Sequence, residues 1–333
     1  MTSVTQVAEG IWCFPIPLPN NPLRWLNCYV VKGHEGGRNL LIDTGFDRDE
    51  CHQALNEGMS QLSISPENTD VFITHFHTDH SGNAAMLQRK GARLIMGRVD
   101  HDCFLQSENG GWQKGRDVFC AEGLPLYVYE AMQKQDRSVM FSSGIFEADR
   151  LVDDGEILSY GNYELECVMT PGHTPGQICL YDRKSEIMFT ADHVLFDITP
   201  NIGPGHDRDN NLGTYMNSLR RLREYPIRLA LPGHRTSGGI SVYDRIDSLI
   251  AHHERRIAET EKIIRDFPGS TGYDIASHMQ WSINARNWEE FPTTQKWFAL
   301  SETLAHVDYL LSKGSVSKSG GQEDFIRYYH TGK

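Results

Sequence analysis

Thr74-His75-Phe76-His77-Thr78-Asp79-His80 carries four metal-competent side chains within six residues. It follows a short apolar run, residues 70–74 (DVFIT), that predicts a buried strand. It precedes a helix that begins over residues 84–88. Open αβ folds place their chemistry in loops at the carboxyl ends of strands, and this segment falls in such a loop. Side chains alternate along an extended segment, so His75 and His77 point the same way. Asp79 and His80 then lie at the turn into the helix. Imidazole with carboxylate suits zinc, iron or manganese.

Three distant segments offer further ligands. Pro171-Gly172-His173-Thr174-Pro175-Gly176 follows a strand-like run at residues 164–169. Ala191-Asp192-His193 follows one at 187–190, and Pro232-Gly233-His234 follows one at 228–231. Each sets a His or Asp just past an apolar strand. A glycine beside His173 and His234 lets the backbone turn sharply and approach a metal closely. Further strands are predicted at 11–14, 28–31, 40–42, 92–96 and 178–181. Residues 212–224 form an amphipathic helix, with Leu212, Tyr215, Met216, Leu219 and Leu222 at helical spacing. Residues 100–150 interrupt this rhythm with one helix near 126–134, and an insertion of that length reads as a lid or a substrate-binding wall.

The texture changes near residue 243. Residues 243–267 predict one long helix, 271–278 a second, opened by the cap region Ser270-Thr271-Gly272, and 294–313 a third, ended by Gly314. The short tail has Gly320-Gly321 as a hairpin turn. Three helices and a hairpin suggest a winged-helix-like appendage. The expected division is 1–242 for the catalytic domain, with the insertion at about 100–150, and 243–333 for the appendage.

The ligand pattern resembles the metallo-β-lactamase superfamily of hydrolases. The resemblance rests on the HxHxDH signature at His75–His80 and on Leu41-Ile42-Asp43-Thr44-Gly45, which matches the family's LIDTG element. It covers about residues 5–240. It implies an α+β fold, a four-layer αβ/βα sandwich, with a two-metal site between the sheets. By the same resemblance, His75, His77 and His173 hold the first metal, and Asp79, His80 and His234 hold the second. Asp192 bridges them, and Asp43 orients a ligand His by hydrogen bonding. The implied cofactors are two divalent metal ions, zinc foremost, with iron or manganese as alternatives. Residues 246–264, 272–278 and 302–314 resemble the C-terminal domain of the β-lactamase-like-protein-2 type.

Charge and composition weigh the chemistry. The 333 residues include 15 His, seven Cys and a net charge of −12. The cysteines are odd in number, scattered and free of CxxC pairs, which fits a reducing compartment. No stretch approaches 18 consecutive apolar residues, so neither a transmembrane helix nor a membrane partner is expected. The N-terminus shows no secretory signal, and a cytoplasmic location is expected. Residues 244–333 carry 11 Lys and Arg against 13 Asp and Glu, a net of −2. A module that holds a phosphate backbone should present a basic stripe, so nucleic acid is disfavoured as a partner. An appendage of balanced charge fits covering the site or building a homodimer better.

The expected function is hydrolysis of a small ester, thioester or lactone, in the manner of a hydroxyacylglutathione hydrolase. Hydroxide held by the metals attacks the carbonyl, and Asp79 and Asp192 guide its proton. The alternatives are an endoribonuclease with an appended winged helix and a mononuclear-iron sulfur dioxygenase. Candidate substrate residues lie at 25–27, in the insertion, at 199–206 and at Asn83. Ser81 reads as a helix start and His193 as a buried structural residue. The pair His252-His253 reads as helix surface or interdomain contact, and His206 as a loop residue near the site.

Overall fold

The computed structural model describes residues 2–19, 21–107, 111–135, 141–205, 209–282, 285–321 and 324–332. His206 lies outside them. The strands and helices run in chain order as β1 (Thr5–Ala8), β2 (Ile11–Pro17), β3 (Trp25–Val31), β4 (Asn39–Ile42), α1 (Asp49–Gln61), β5 (Thr69–Ile73), α2 (Thr78–Ser81), α3 (Ala84–Arg89), β6 (Arg93–Gly97), α4 (Arg98–Ser107), α5 (Gly111–Ala121), α6 (Leu126–Gln135), β7 (Arg150–Val152), β8 (Ile157–Tyr160), β9 (Tyr163–Met169), β10 (Ile178–Asp182), β11 (Ile187–Ala191), α7 (Asn211–Leu222), β12 (Leu229–Pro232), α8 (Val242–Asp266), α9 (Gly272–His278), α10 (Thr293–Lys313), β13 (Val316–Gly321) and β14 (Asp324–His330). Contacts gather these into two compact units. The first holds Met1–Leu105, Arg137–Pro200 and Ser218–Ile246; the second holds Gln106–Asp136, Asn201–Asn217 and Asp247–Lys333. The sequence reading sets one break, at 242/243. The compact units break after Ile246, inside the insertion and on either side of Asn201–Asn217.

The first unit is an αβ/βα sandwich. Its larger sheet runs β1 to β7 in chain order, antiparallel as far as β4 and parallel beyond. The smaller sheet has the order β12-β11-β10-β9-β8. Period-two alternation sends each apolar run of the large sheet into two cores. Val30, Leu41, Val71, Ile73 and Leu94 pack on one face with Cys51, Leu55 and Met59 of α1 and Leu87 of α3. Tyr29, Leu40, Ile42, Phe72 and Ile95 pack on the other against Leu165, Ile178, Leu180 and Phe189 of the small sheet. The far face of that sheet carries Tyr181, whose ring meets Tyr225 edge-on. Arg221, in the last turn of α7, donates to the carbonyl of Met169 there. Both layers of strands therefore end at one edge of the sandwich, and β4, β5, β9, β11 and β12 all deliver the loops that follow them to it.

The second unit is built on α9 and α10. Phe119, Val128 and Tyr129 of α5 and α6 pack with Leu300 and Leu304 of α10. The insertion thus contains α4 and α5 as well as the one expected helix, α6. Glycines at 111 and 115 weaken the helical pattern of α5, and tertiary packing rather than propensity stabilises it. Thr271 caps α9, accepting from Asp274 N at 3.1 Å while Asp274 accepts from Thr271 N at 3.0 Å. Gly314 ends α10 with φ 73°, and β13 and β14 form the hairpin that the tail predicts. Among the described residues, no helix is long and apolar enough to cross a membrane. Of the two readings of His253, helix surface or contact, the structure excludes the surface: it is buried, 3.3 Å from His306 and edge-on to Tyr215.

Candidate metal centre

Asp43, just past β4, sits at φ 62°, in the left-handed region that disfavours side chains. Ala191 (φ 45°) and Arg235 (φ 56°) are strained likewise beside Asp192 and His234. Such conformations cost about 1–3 kcal/mol each and persist where surrounding structure over-determines them. Here that structure is a hydrogen-bond lattice. Asp43 accepts from Thr74 N and Thr74 Oγ1, both at 2.9 Å, and pairs with His80 Nδ1 at 2.7 Å. His80 O accepts from Thr44 N and Thr44 Oγ1, both at 2.8 Å. Asn83 Nδ2 donates to the carbonyls of Thr44 and Phe46. Asn83 therefore shapes the Asp43 turn. Ser81 ends α2, where the sequence suggested a helix start; its Oγ donates to the carbonyls of Phe76 and His77, which leaves it a structural tie rather than a nucleophile.

The seven expected ligands converge. Their donor atoms fall into three groups, each within 4.8 Å: His75, His77 and His173; His75, His80 and Asp192; Asp79, His80 and His234. Asp192 lies between the outer two groups, with Oδ1 3.4 Å from His80 Nε2 and Oδ2 3.4 Å from His234 Nε2 and 3.8 Å from His173 Nε2. Gly233 allows this approach: a Cβ there would meet Asp192 Oδ1 at 2.5 Å and His80 Cε1 at 3.1 Å.

The hydrogen bonds assign the tautomers, and the tautomers demand a cation. His80 Nδ1–H is committed to Asp43, and His234 Nδ1–H donates to Trp25 O at 2.9 Å. Their Nε2 lone pairs then face each other at 3.1 Å. Thr74 Oγ1 gives its proton to Asp43 and accepts from His75 Nδ1 at 3.1 Å. The His75 Nε2 lone pair consequently faces His77 Nδ1, also at 3.1 Å. The His80 and His234 lone pairs, that close, repel unless a proton or a metal lies between them, whereas His77 Nδ1 can donate to His75.

Electrostatics divides the cluster. Burial, joined by repulsion from His80, His77 and His173, pushes His75 far below its ordinary pKa. Burial and His173 take His77 down to about 3. Burial opposes charge at His80 and His234 as well, but Asp192 outweighs it, together with Asp43 and Asp79 at His80. His80 rises well above its ordinary value, and His234 rises to about 10. Burial would raise both carboxylates, yet His80 and His234 hold Asp79 at about 2 and Asp192 well below the usual range.

The sequence pattern of the metallo-beta-lactamase superfamily matches residues 26–234. The chain belongs to that superfamily. A second pattern, the C-terminal domain of metallo-beta-lactamase-like proteins, matches residues 289–331. As a hydrolase of the superfamily, the chain brings together His and Asp clusters that fit a divalent-metal site. It is 24% identical over 269 residues to a beta-lactamase-like protein 2 homolog of Caenorhabditis elegans, covering 79% of this chain and 74% of the relative. It is 24% identical over 217 residues to an atrochrysone carboxyl ACP thioesterase of Emericella nidulans, covering 65% of this chain and 53% of the relative. The chain thus spans about half the length of that thioesterase. A crystal structure of a metallo-beta-lactamase family protein from Thermus thermophilus superposes with a TM-score of 0.81 at 25% identity, covering 98% of this chain and all of the other.

Three residues around the centre were not read from the sequence as supports. Asn27, expected as a substrate residue, donates from Nδ2 to the carbonyls of Pro232 at 3.0 Å and Arg235 at 2.6 Å. It thereby pins both sides of the His234 loop. Tyr29 adds a 2.8 Å hydrogen bond to Pro232 O. Asp100 is buried in the first turn of α4, and burial lifts its carboxyl to about 6. Its position just past β6, at the same sheet edge as His75, was the available signal. His193 is buried, as expected, and burial takes it down to about 3.

Proposed function

We propose that the chain hydrolyses a small-molecule thioester in a centre that holds two divalent metal ions, zinc foremost. The observation that carries this reading is the pair of Nε2 lone pairs on His80 and His234, 3.1 Å apart between the carboxylates of Asp79 and Asp192. His75, His77 and His173 would hold one ion, and Asp79, His80 and His234 the other, with Asp192 between them. Two such ions supply an ionised water near neutral pH and polarise a carbonyl oxygen. Asp79 and Asp192 stay ionised across the physiological range. They act as fixed acceptors that hold and orient the water proton rather than as strong bases. Asp43 keeps His80 aimed through its Nδ1–H and His75 through Thr74.

The choice of thioester rests on the leaving group. A thiol of pKa about 8.5 departs as thiolate without a proton donor. With metals bound, the His and Asp side chains that converge here are ligands or acceptors, and none is a ready general acid. A relative whose printed name is a thioesterase supports the same class. The three helices and hairpin that follow residue 243 fit a winged-helix-like appendage, which completes the proposal. A panel of acyl-coenzyme A, acyl-pantetheine and acyl-glutathione thioesters, aryl esters, lactones and single-stranded RNA tests it. The expected result is thioester hydrolysis that chelation abolishes and zinc restores. No thioester turnover by the metal-loaded protein, with turnover of another class, sinks it.

A further inference from the structure

Asp100 touches none of the seven clustered side chains directly, yet it joins the two loops that carry three of them. Its Oδ2 accepts from Thr174 Oγ1 at 2.6 Å and from Phe76 N at 3.2 Å. Its Oδ1 accepts from Gly176 N at 2.5 Å. Phe76 stands between His75 and His77, and Thr174 follows His173. One buried carboxylate therefore ties the strand-end loop after β5 to the loop after β9. Gly176 fits this closure: a Cβ there would meet Asp100 N at 2.5 Å and Asp100 Oδ1 at 3.0 Å. Beside it, Ile178 N donates to Thr74 O at 3.0 Å, so the two loops are stitched at a second point.

The consequence is selective. Asp43 reaches His80 directly and His75 through Thr74, so it serves both halves of the centre. Among the described residues, the hydrogen bonds of the Asp100 side chain go to the loops of His75, His77 and His173. A buried carboxylate with three donors is worth its desolvation only where those donors must be held in one place.

We propose that Asp100 is a positioning residue for the all-histidine half of the metal centre, setting the distance between His173 and the pair His75 and His77. The inference rests on the two-metal reading above. It goes beyond that reading by assigning a residue of the insertion to one metal site and not the other.

Stepwise zinc binding by calorimetry, with the absorption spectrum of the cobalt-substituted protein, tests it on the full chain. In Asp100→Ala, one of the two binding steps should weaken by about 10–100-fold, the range of losses when a partner orienting a ligand is removed. The other step should keep its affinity, and the cobalt bands of one site alone should change. Thr174→Val removes one of the three donors and leaves the carboxylate. It should weaken the same step by less, and it carries the test if Asp100→Ala does not fold. Unchanged steps, or an equal fall in both, overturn the proposal while leaving the metal centre intact. Absence of metal binding by the unsubstituted chain overturns the two-metal reading and this inference with it.

Discussion

The two halves of the centre answer the same burial in opposite ways. His75, His77 and His173 are three imidazoles without a carboxylate of their own, and His75 and His77 are driven towards the neutral form. Asp79, His80 and His234 share one cluster with a carboxylate, and Asp192 adds a second. There the imidazoles are driven towards the charged form. Carboxylate number decides the difference, since desolvation acts on both halves. In the first half His75 and His77 are neutral at neutral pH. The second is a negative pocket that holds protons, which a bound cation would have to displace.

The largest effect should come from the residue that belongs to both halves. Asp192→Ala removes the carboxylate lying 3.4 Å from His80 and His234 and 3.8 Å from His173. Thioester hydrolysis should fall by more than the roughly 10–100-fold typical of residues that only orient ligands. Metal content, measured by elemental analysis, should fall below two ions per chain. A variant that retains two ions and most of its activity would show that Asp192 does not serve both halves and would dissolve the contrast.

Asp43→Ala comes next. It leaves His80 Nδ1 and Thr74 without their buried acceptor. Both zinc-binding steps should weaken by about 10–100-fold. That separates Asp43 from Asp100, whose loss should weaken one step only. If Asp43→Ala spares the step assigned to the His75 half, the relay through Thr74 carries no weight.

The pH dependence sharpens the comparison without any substitution. Zinc binding to the His80 half must displace protons, because His234 is raised to about 10. His75 and His77 release none at pH 7, because His75 is lowered well below its ordinary value and His77 to about 3. Calorimetry in buffers of different ionisation enthalpy should show proton release in one step alone, with its affinity rising between pH 6 and 9. The sign for the metal-free fold follows from the same shifts. The stabilisation tied to His234 is fully present below its ordinary value of 6.5 and lost as pH climbs through about 10. That tied to Asp79 is present above 3.8 and lost as pH falls through about 2. His77, held neutral, costs stability as pH drops from 6.5 towards 3. Equal proton release in both steps would show the two halves to be electrostatically alike.

The clustering of these seven side chains was legible in the sequence because their spacing is local. His75, His77, Asp79 and His80 share one turn, and the other three each follow an apolar strand that reads by itself. The sheets were legible for the same reason, since runs such as residues 70–74 bury both faces. Asp100 was legible only through its place just past β6. Its partners Phe76, Thr174 and Gly176 are 24, 74 and 76 positions away, and nothing in the run Arg98-Val99-Asp100 marks the carboxylate as buried. His253 was half legible: Leu249, Ile250 and Ile257 lie one turn away along α8, but long-range contacts with His306 of α10 and Tyr215 of α7 decide its burial. Local pattern finds what a segment can bind; long-range hydrogen bonds decide what holds it in place.

The smallest expected effect tests that last point. Pro232 O, next to Gly233 and His234, accepts from Tyr29 OH at 2.8 Å and from Asn27 Nδ2 at 3.0 Å. Tyr29→Phe removes one donor, keeps the edge-on contact with Phe189 and leaves Asn27 in place. The cost should be about 1 kcal/mol in denaturant unfolding, the net worth of one such hydrogen bond. Asn27→Ala removes more. Arg235 O loses its side-chain donor, and Trp25 Nε1 loses its 3.0 Å acceptor. The cost there should approach about 1–3 kcal/mol, since buried groups are left unsatisfied. Both substitutions should loosen the His234 half and leave the zinc-binding step of the His75 half unchanged. If the step that moves is instead the one at His75, His77 and His173, the two halves share one scaffold and their opposite electrostatics is a property of charge alone.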